Sequence, residues 1–216
     1  IAQQQNLSKT LTHVIYNPVS PEFLTVPLKP ATTRDLLFVG TVEKYKGVEL
    51  LLNAFHAFAQ KESDVHLKIV GDGRDKGTYE KLVGSLGLQY RVTFLGRIPY
   101  TELLPIYDSA AIVVAPHLWI EPFGRTVVEA MARGRVVVAA NVGGPAEIIK
   151  PGTGLLFEQG NVASLAEALH EAVALKPLDY REIAGAARRW VEEHLKPDHI
   201  AAQHEQVYQQ MLNGKA

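Results

Sequence analysis

Short runs of β-branched and aliphatic residues alternate with segments of helical periodicity from Leu36 onward. The first run, LLFVG, is followed by GVELLLNAFHAFAQ, whose apolar residues recur at helical spacing: Val48, Leu51, Leu52, Phe55 and Phe58. Strands that are separated by single helices need crossover connections, and such connections give a parallel sheet covered on both faces. The alternation therefore predicts an α/β fold with a Rossmann-like, doubly wound parallel sheet.

The predicted strands are rich in Val, Ile and Leu and end in glycine, alanine or turn residues. They cover residues 36–40, 65–70, 92–96, 111–115 and 136–140, with 154–157 as a candidate sixth strand. The predicted helices cover residues 47–60, 79–86, 101–109, 125–133, 162–175, 179–194 and 200–212.

The length of 216 residues, 47% of them hydrophobic, is enough for one substantial core. Four prolines in NPVSPEFLTVPLKP indicate a linker over residues 17–30. We expect three parts: 1–33 as the end of a preceding domain and a linker, 34–197 as the sheet domain, and 198–216 as a last helix and tail. Because the chain begins IAQQQNLSKT, without Met, we expect it to be a fragment of a longer protein.

Composition excludes several classes of function. A formal net charge of -1 provides no broad field for nucleic acid or an anionic membrane, so an anion must be bound locally. The absence of cysteine excludes thiol catalysis and agrees with a cytoplasmic location. No H-E-x-x-H, G-x-S-x-G or P-loop motif occurs, so we expect no metal site, hydrolase triad or P-loop nucleotide site.

Candidate binding residues follow the strands, because ligands of open parallel sheets bind at the carboxyl ends of the strands. Lys46 and Gly47 come just before a predicted helix, whose positive end can help the ammonium group to hold a phosphate. A solvated basic loop is the alternative. GDGRDKG follows the second strand, but its spacing does not match the dinucleotide fingerprint.

The segment APHLWIEPFGRTVVEAMARG contains Glu121 and Glu129, eight residues apart. On one helix these carboxylates would lie roughly 12 Å apart, beyond the ~5 to 9.5 Å of a glycosidase pair. Pro122 favours an extended Glu121, so we place Glu121 in a loop and Glu129 on the helix. The alternative interpretation makes Glu121 a loop charge and Glu129 an ordinary surface residue.

The amides of Gly124, Arg125 and Thr126 would be free at the start of this helix, where they can bind a diphosphate. A carboxylate on each side of that anion suits hydrogen bonding to sugar hydroxyl groups. After the fifth strand, Gly143 and Gly144 permit close backbone approach.

The ordered segments FVGTVEKYKG, IVGDG, VTFLGRI, EPFGRTVVEAMARG, VGGPAEII and GTGLLFEQGN resemble a known family. They are similar to the C-terminal domain of retaining GT-B glycosyltransferases of family 4, glycosyl transferases group 1. The resemblance runs from about Val14 to Leu212 and is most specific from Glu121 to Ala130. VIYNPVSPEF looks like the interdomain linker, and the last helix is similar to the one that crosses back onto the N-terminal domain.

The resemblance implies a nucleoside-diphosphate sugar as donor and no cofactor. Glu121 would bind hydroxyl groups of the donor sugar, Glu129 would bind the ribose, and Lys46 would neutralise the leaving diphosphate without a metal. The implied donor-binding residues are Gly40, Thr41, Gly71, Arg97, Ile98, Pro122, Phe123, Gly124, Arg125 and Glu129. Backbone groups near Arg97 and Ile98 would contact the base.

One residue departs from the family pattern, because Thr41 stands where arginine usually follows the glycine of the first strand. Threonine carries no charge, and loss of a charged hydrogen bond costs ~1.5 to 3 kcal/mol. Lys44 is a candidate replacement, although its side chain can equally point into solvent.

We expect this chain to be the donor-binding half of a transferase and to work poorly alone. The acceptor site and any peripheral membrane contact would belong to an absent N-terminal domain. A non-catalytic nucleotide-sugar-binding or regulatory module is the main alternative. An epimerase of UDP-sugars with the same fold ranks lower, because the segment around Glu121 matches the transferase pattern. The sequence does not identify the base, the sugar or the acceptor.

Overall fold

The computed structural model describes residues 13–27, 31 and 33–213. Within these residues, six strands form one sheet in the order β3-β2-β1-β4-β5-β6, and every neighbouring pair is parallel. The strands are β1 Leu36–Val39, β2 Leu67–Val70, β3 Val92–Gly96, β4 Ile112–Ala115, β5 Val136–Ala140 and β6 Leu155–Phe157. This order is that of a doubly wound Rossmann-like sheet, so the predicted fold class, with its sixth strand, is confirmed.

Helices connect and cover the strands. They are α1 Glu22–Thr25, α2 Val48–Ala59, α3 Lys76–Ser85, α4 Leu103–Ser109, α5 Arg125–Ala132, α6 Gly143–Ile148, α7 Val162–Ala174, α8 Pro177–His194 and α9 Pro197–Leu212. Short 3-10 turns occur at Lys44–Lys46 and Tyr100–Glu102. In this part of the chain no helix is both long and apolar enough to cross a lipid bilayer.

Two apolar cores lie on opposite faces of the sheet. Leu36 and Phe38 of β1 pack into the core that also contains α2 and α7, whereas Leu37 packs into the core that contains α5 and α8. Successive side chains of a strand alternate between faces, so a central strand with both faces covered must be apolar throughout.

Several predicted boundaries differ from the structure. Helices α8 and α9 begin at Pro177 and Pro197, earlier than expected, because proline is favoured in the first helical turn. The glycine pair that follows β5 starts helix α6. Residues 17–27 of the predicted linker include α1, whose Phe23 is buried, while 1–12, 28–30, 32 and 214–216 of the predicted segments lie outside the described residues.

The chain order reverses between β1 and β4, which are neighbours in the sheet, so the loops that follow them border a crevice. Gly47 brings these two loops together. It has a φ of 76°, and a Cβ atom there would lie 1.8 Å from the carbonyl oxygen of Pro116. Only glycine fits this close approach.

Candidate functional site

Lys46 and Glu121 meet in the crevice between β1 and β4. The Nζ atom of Lys46 lies 2.7 Å from Oε2 of Glu121, and the two side chains are only 18% and 14% exposed. The residues are 75 positions apart in the chain. The structure therefore brings both predicted catalytic residues into one ion pair.

His117 is a third member of this cluster. Its Nε2 atom lies 3.6 Å from the same Oε2 atom of Glu121, and its side chain is 5% exposed. Burial, followed by the positive charge of Lys46, lowers the pKa of His117 to about 4, although Glu121 acts in the opposite direction. His117 is therefore neutral near pH 7. The sequence analysis missed it, although its place directly beyond β4 was a usable signal.

Aromatic rings enclose the ammonium group of Lys46. Its Nζ atom lies 5.2 Å from the ring centroid of Trp119 and 5.6 Å from that of Tyr45, within cation–π range. The hydroxyl groups of Tyr45 and Thr41 lie 3.2 Å apart. Lys44 is exposed; its backbone amide donates to Asp75, and its carbonyl oxygen accepts from the amide of Gly47. Thr41 thus hydrogen-bonds within its own loop.

Helix α6 supports the loop that carries Glu121. The amide of Gly144 donates to the carbonyl oxygen of Glu121 at 2.7 Å. A Cβ atom on Gly143 would lie 2.4 Å from that oxygen, and one on Gly144 would lie 2.5 Å from Cα of Phe123. The close backbone approach that we predicted for these glycines is made to the site loop.

Helix α5 begins directly after this loop. Gly124 has a φ of 88° and precedes the first helical residue, Arg125. Among the described residues, no acceptor pairs with the backbone amides of Arg125 and Thr126. These amides and the helix dipole make the start of α5 electropositive. In the preceding loop, Pro122 is exposed, and the buried ring of Phe123 packs against Tyr16.

Glu129 lies one turn further along α5 and is 4% exposed. Its carboxylate accepts hydrogen bonds from the hydroxyls of Tyr107 at 2.7 Å and Tyr100 at 3.1 Å, and Arg125 lies 3.8 Å away. Burial raises the pKa of Glu129, whereas the two hydroxyls and Arg125 oppose that shift. The interpretation of Glu129 as an ordinary surface residue is wrong. Neither tyrosine was predicted.

A cleft of about 400 Å³ lies at the carboxyl ends of β1, β2 and β3. It is lined by Val39, Gly40, Thr41, Val70, Gly71, Asp72, Arg97, Ile98 and Leu103. Five of the ten predicted donor-binding residues therefore meet here, apart from the Lys46 cluster. Within residues 13–27, 31 and 33–213, no group of three His, Asp or Glu side chains is arranged to hold a metal ion.

Comparison with known proteins places this chain in a family. Residues 20–190 match the family described as Glycosyl transferases group 1. The chain is 34% identical over 149 residues to D-inositol 3-phosphate glycosyltransferase of Corynebacterium diphtheriae, covering 66% of this chain. It is 33% identical over 186 residues to N-acetyl-alpha-D-glucosaminyl L-malate synthase of Bacillus anthracis, covering 83% of this chain.

The fold is also similar to that of Anabaena Alr3699/HepE, solved in complex with UDP-glucose. The TM-score is 0.83 at 25% identity, over 96% of this chain and 60% of that one. The chain spans 35% of the length of the Corynebacterium enzyme and 47% of the Bacillus enzyme. Because the family match covers most of the chain, the chain belongs to the Glycosyl transferases group 1 family.

Proposed function

We propose that this chain is the donor-binding half of a retaining GT-B glycosyltransferase of family 4, which moves a sugar from a nucleoside-diphosphate sugar to an acceptor. The observation that carries the proposal is the ion pair of Lys46 and Glu121 at the switch point of the sheet, in the loop that leads directly into the open start of α5. A cation and free amides suit a diphosphate, and carboxylates suit sugar hydroxyls.

The donor would extend along the carboxyl edge of the sheet. The base would enter the cleft near Arg97 and Ile98, and the ribose hydroxyls would bind Glu129. The diphosphate would lie against the amides of Arg125 and Thr126. A UDP-sugar fits this assignment, since the Anabaena structure of similar fold was solved with UDP-glucose.

The chemical contribution of this chain would be stabilisation of the leaving group. Cleavage of the bond between the sugar and the diphosphate leaves negative charge on the diphosphate oxygen. Lys46 and the helix amides can stabilise that charge without a metal ion. Glu121 would orient the sugar by accepting hydrogen bonds from its hydroxyls.

The acceptor site would lie on a further domain, because the chain spans less than half the length of the two relatives compared. We also propose a cytoplasmic location and place any membrane contact on that further domain. This chain alone would then bind the donor but transfer sugar weakly or not at all.

A non-catalytic nucleotide-sugar-binding module is a second candidate, favoured by Thr41, which hydrogen-bonds to Tyr45 where the family pattern has arginine. Thr41→Arg discriminates the two, in a protein that joins this chain to an acceptor domain. Activity that appears or rises with the arginine supports the transferase, and tight binding with no activity in either form supports the module.

The direct test is calorimetry of the 216-residue chain with UDP, GDP, ADP and their glucose conjugates. We expect at least one pair to bind, and Lys46→Met to weaken diphosphate binding roughly 10- to 100-fold, the usual range for a charged hydrogen bond. Lys81→Met, at an exposed position of α3, is the matched control. Binding of none of these ligands would refute the proposed function.

A further inference from the structure

The proposed function leaves His117 without a role, although its side chain is almost completely buried beside the two predicted catalytic residues. Lys46 and His117 approach the same oxygen of Glu121, at 2.7 Å and 3.6 Å. Only the shorter of these distances is a hydrogen bond. In this structure Lys46 holds Glu121, and His117 lies just beyond hydrogen-bonding distance.

The Lys46–Glu121 pair conflicts with the two roles proposed for its members. While the pair is closed, each charge neutralises the other. If Lys46 turns to a diphosphate, Glu121 loses its cation although its side chain is only 14% exposed. A carboxylate that is shielded from water and has no donor is costly, so a second donor is needed at that oxygen.

We propose that His117 is a positioning residue whose Nε2–H group donates a hydrogen bond to Oε2 of Glu121 when Lys46 turns to the diphosphate. The inference rests on the proposed function, because it requires the donor diphosphate to attract Lys46. A displacement of roughly 0.5 Å would bring the 3.6 Å contact into hydrogen-bonding range. Glu121 would then stay oriented toward the hydroxyls of the sugar.

The surroundings of His117 favour the tautomer that this requires. Among the described residues, its Nδ1 atom is buried and has no hydrogen-bond partner. A proton on Nδ1 would be a buried donor without an acceptor, whereas a proton on Nε2 points toward a carboxylate. The backbone carbonyl of His117 accepts a hydrogen bond from Gln159 at 3.3 Å, which helps to fix the residue at the end of β4.

A neutral donor is also the suitable replacement for Lys46. The charged groups that face the ring are Lys46 and Glu121, and burial with Lys46 keeps the pKa of His117 at about 4. While Lys46 stands beside the ring, His117 therefore brings no positive charge of its own near pH 7. The attraction for the diphosphate stays with Lys46, and His117 affects only how Glu121 is held.

Three variants test the inference by calorimetry with UDP-glucose and UDP. His117→Phe removes the donor, and His117→Gln keeps an N–H group near the position of Nε2. His56→Phe is a matched control, because Nδ1 of His56 on α2 is also buried without a partner among the described residues. We expect His117→Phe to weaken both UDP and UDP-glucose about 10-fold, in the range of a hydrogen bond to a charged group, because both ligands carry the diphosphate that draws Lys46 from Glu121. The other two variants should keep the wild-type affinity for both ligands within roughly 3-fold.

Nitrogen NMR of the wild-type imidazole gives a readout that does not depend on the folding of a variant. We expect His117 to carry its proton on Nε2 in the free chain, and this proton to become hydrogen-bonded when UDP-glucose saturates the site. A proton on Nδ1, a proton on Nε2 that stays free of a hydrogen bond when nucleotide saturates the site, or a loss of UDP affinity in His117→Phe no larger than that in His56→Phe would overturn the inference. If the wild-type chain binds no nucleotide at all, the proposed function falls and this inference with it.

Discussion

Two buried carboxylates on neighbouring helices differ in what holds them. Asp108 at the end of α4 is 7% exposed and is bound by Arg133, whose Nε and Nη2 atoms lie 3.0 and 2.9 Å from its two oxygens. Glu129 on α5 is 4% exposed and accepts hydrogen bonds from the uncharged hydroxyls of Tyr100 and Tyr107. Burial alone therefore does not separate a structural acid from a candidate binding residue.

The two carboxylates differ in the charge of the groups that bind them. Both oxygens of Asp108 are bound by a cation, and the same arginine reaches the carbonyl groups of Phe23, Val26 and Pro27, so the ion pair attaches the segment around α1 to the domain. Glu129 is fixed in place without close neutralisation, since Arg125 lies 3.8 Å away and is mostly exposed. A carboxylate in that state can still gain from ligand hydroxyls.

The largest effect is expected from Asp108→Ala, which leaves Arg133 buried without its anion. We expect the free energy of unfolding to fall by about 3 to 5 kcal/mol, as for other broken buried ion pairs. Urea denaturation measures the change. Asp64→Ala, which removes an exposed partner of Arg34, should lower the free energy of unfolding far less, because water screens this ion pair. Equal costs for the two variants would contradict a structural role for Asp108.

Glu129→Gln should weaken binding of the nucleotide rather than folding. An uncharged amide accepts hydrogen bonds from ribose hydroxyls less strongly, so we expect a loss of roughly 10- to 100-fold in affinity. Calorimetry with UDP measures it, and Glu167→Gln, at an exposed position of α7, is the control. An unchanged affinity would place Glu129 with Asp108 among the structural acids.

Tyr100→Phe should have a smaller effect on the same affinity. Its hydroxyl makes the longer of the two hydrogen bonds to Glu129, at 3.1 Å. The residue is 38% exposed, so water can replace the lost donor. We expect a loss of about 2- to 10-fold, as for one ordinary hydrogen bond. Tyr90→Phe, at an 86% exposed position, should bind like the wild type. A loss as large as that of Glu129→Gln would mean that Tyr100 itself contacts the ligand.

The smallest expected effect is a difference between the wild type and Glu129→Gln in how stability depends on pH. Because burial raises the pKa of Glu129 in the folded chain, its carboxyl favours folding most below its ordinary pKa, and this contribution disappears as the pH rises through the raised pKa. Between pH 4.5 and pH 8, the wild type should therefore lose stability relative to Glu129→Gln. Denaturation of both proteins at the two pH values measures the difference, and a gain by the wild type would contradict the assigned shift.

The sheet could be predicted from the sequence because the apolar pattern of each strand lies within a few consecutive residues. Leu36, Leu37 and Phe38 are apolar in succession, and only a strand with both faces covered needs that pattern. Helix α6 is not among the predicted helices because Gly143 and Gly144 have poor helix propensity. In the structure the amide of Gly144 donates to the carbonyl oxygen of Glu121, so a contact with the site loop holds the start of this short helix.

The site was predicted in parts. Spacing and Pro122 separated Glu121 from Glu129, the position of Lys46 before a predicted helix made it a candidate, and the resemblance to the family gave it a role. Their contact depends on tertiary structure, because Lys46 and Glu121 come from loops 75 residues apart. The burial of Glu129 was missed for the same reason, since its partners Tyr100 and Tyr107 come from a different segment of the chain.

The contact between α6 and the loop of Glu121 has a consequence for mutational mapping. In a scan that scores every single substitution by ligand capture, Gly143 and Gly144 should emerge as apparent contact residues. Their replacement would deform the backbone of Glu121 and Phe123, which lies within 2.4 to 2.5 Å of any added Cβ atom. The set of positions at which substitution lowers ligand capture would thus be larger than the set of residues that contact the substrate.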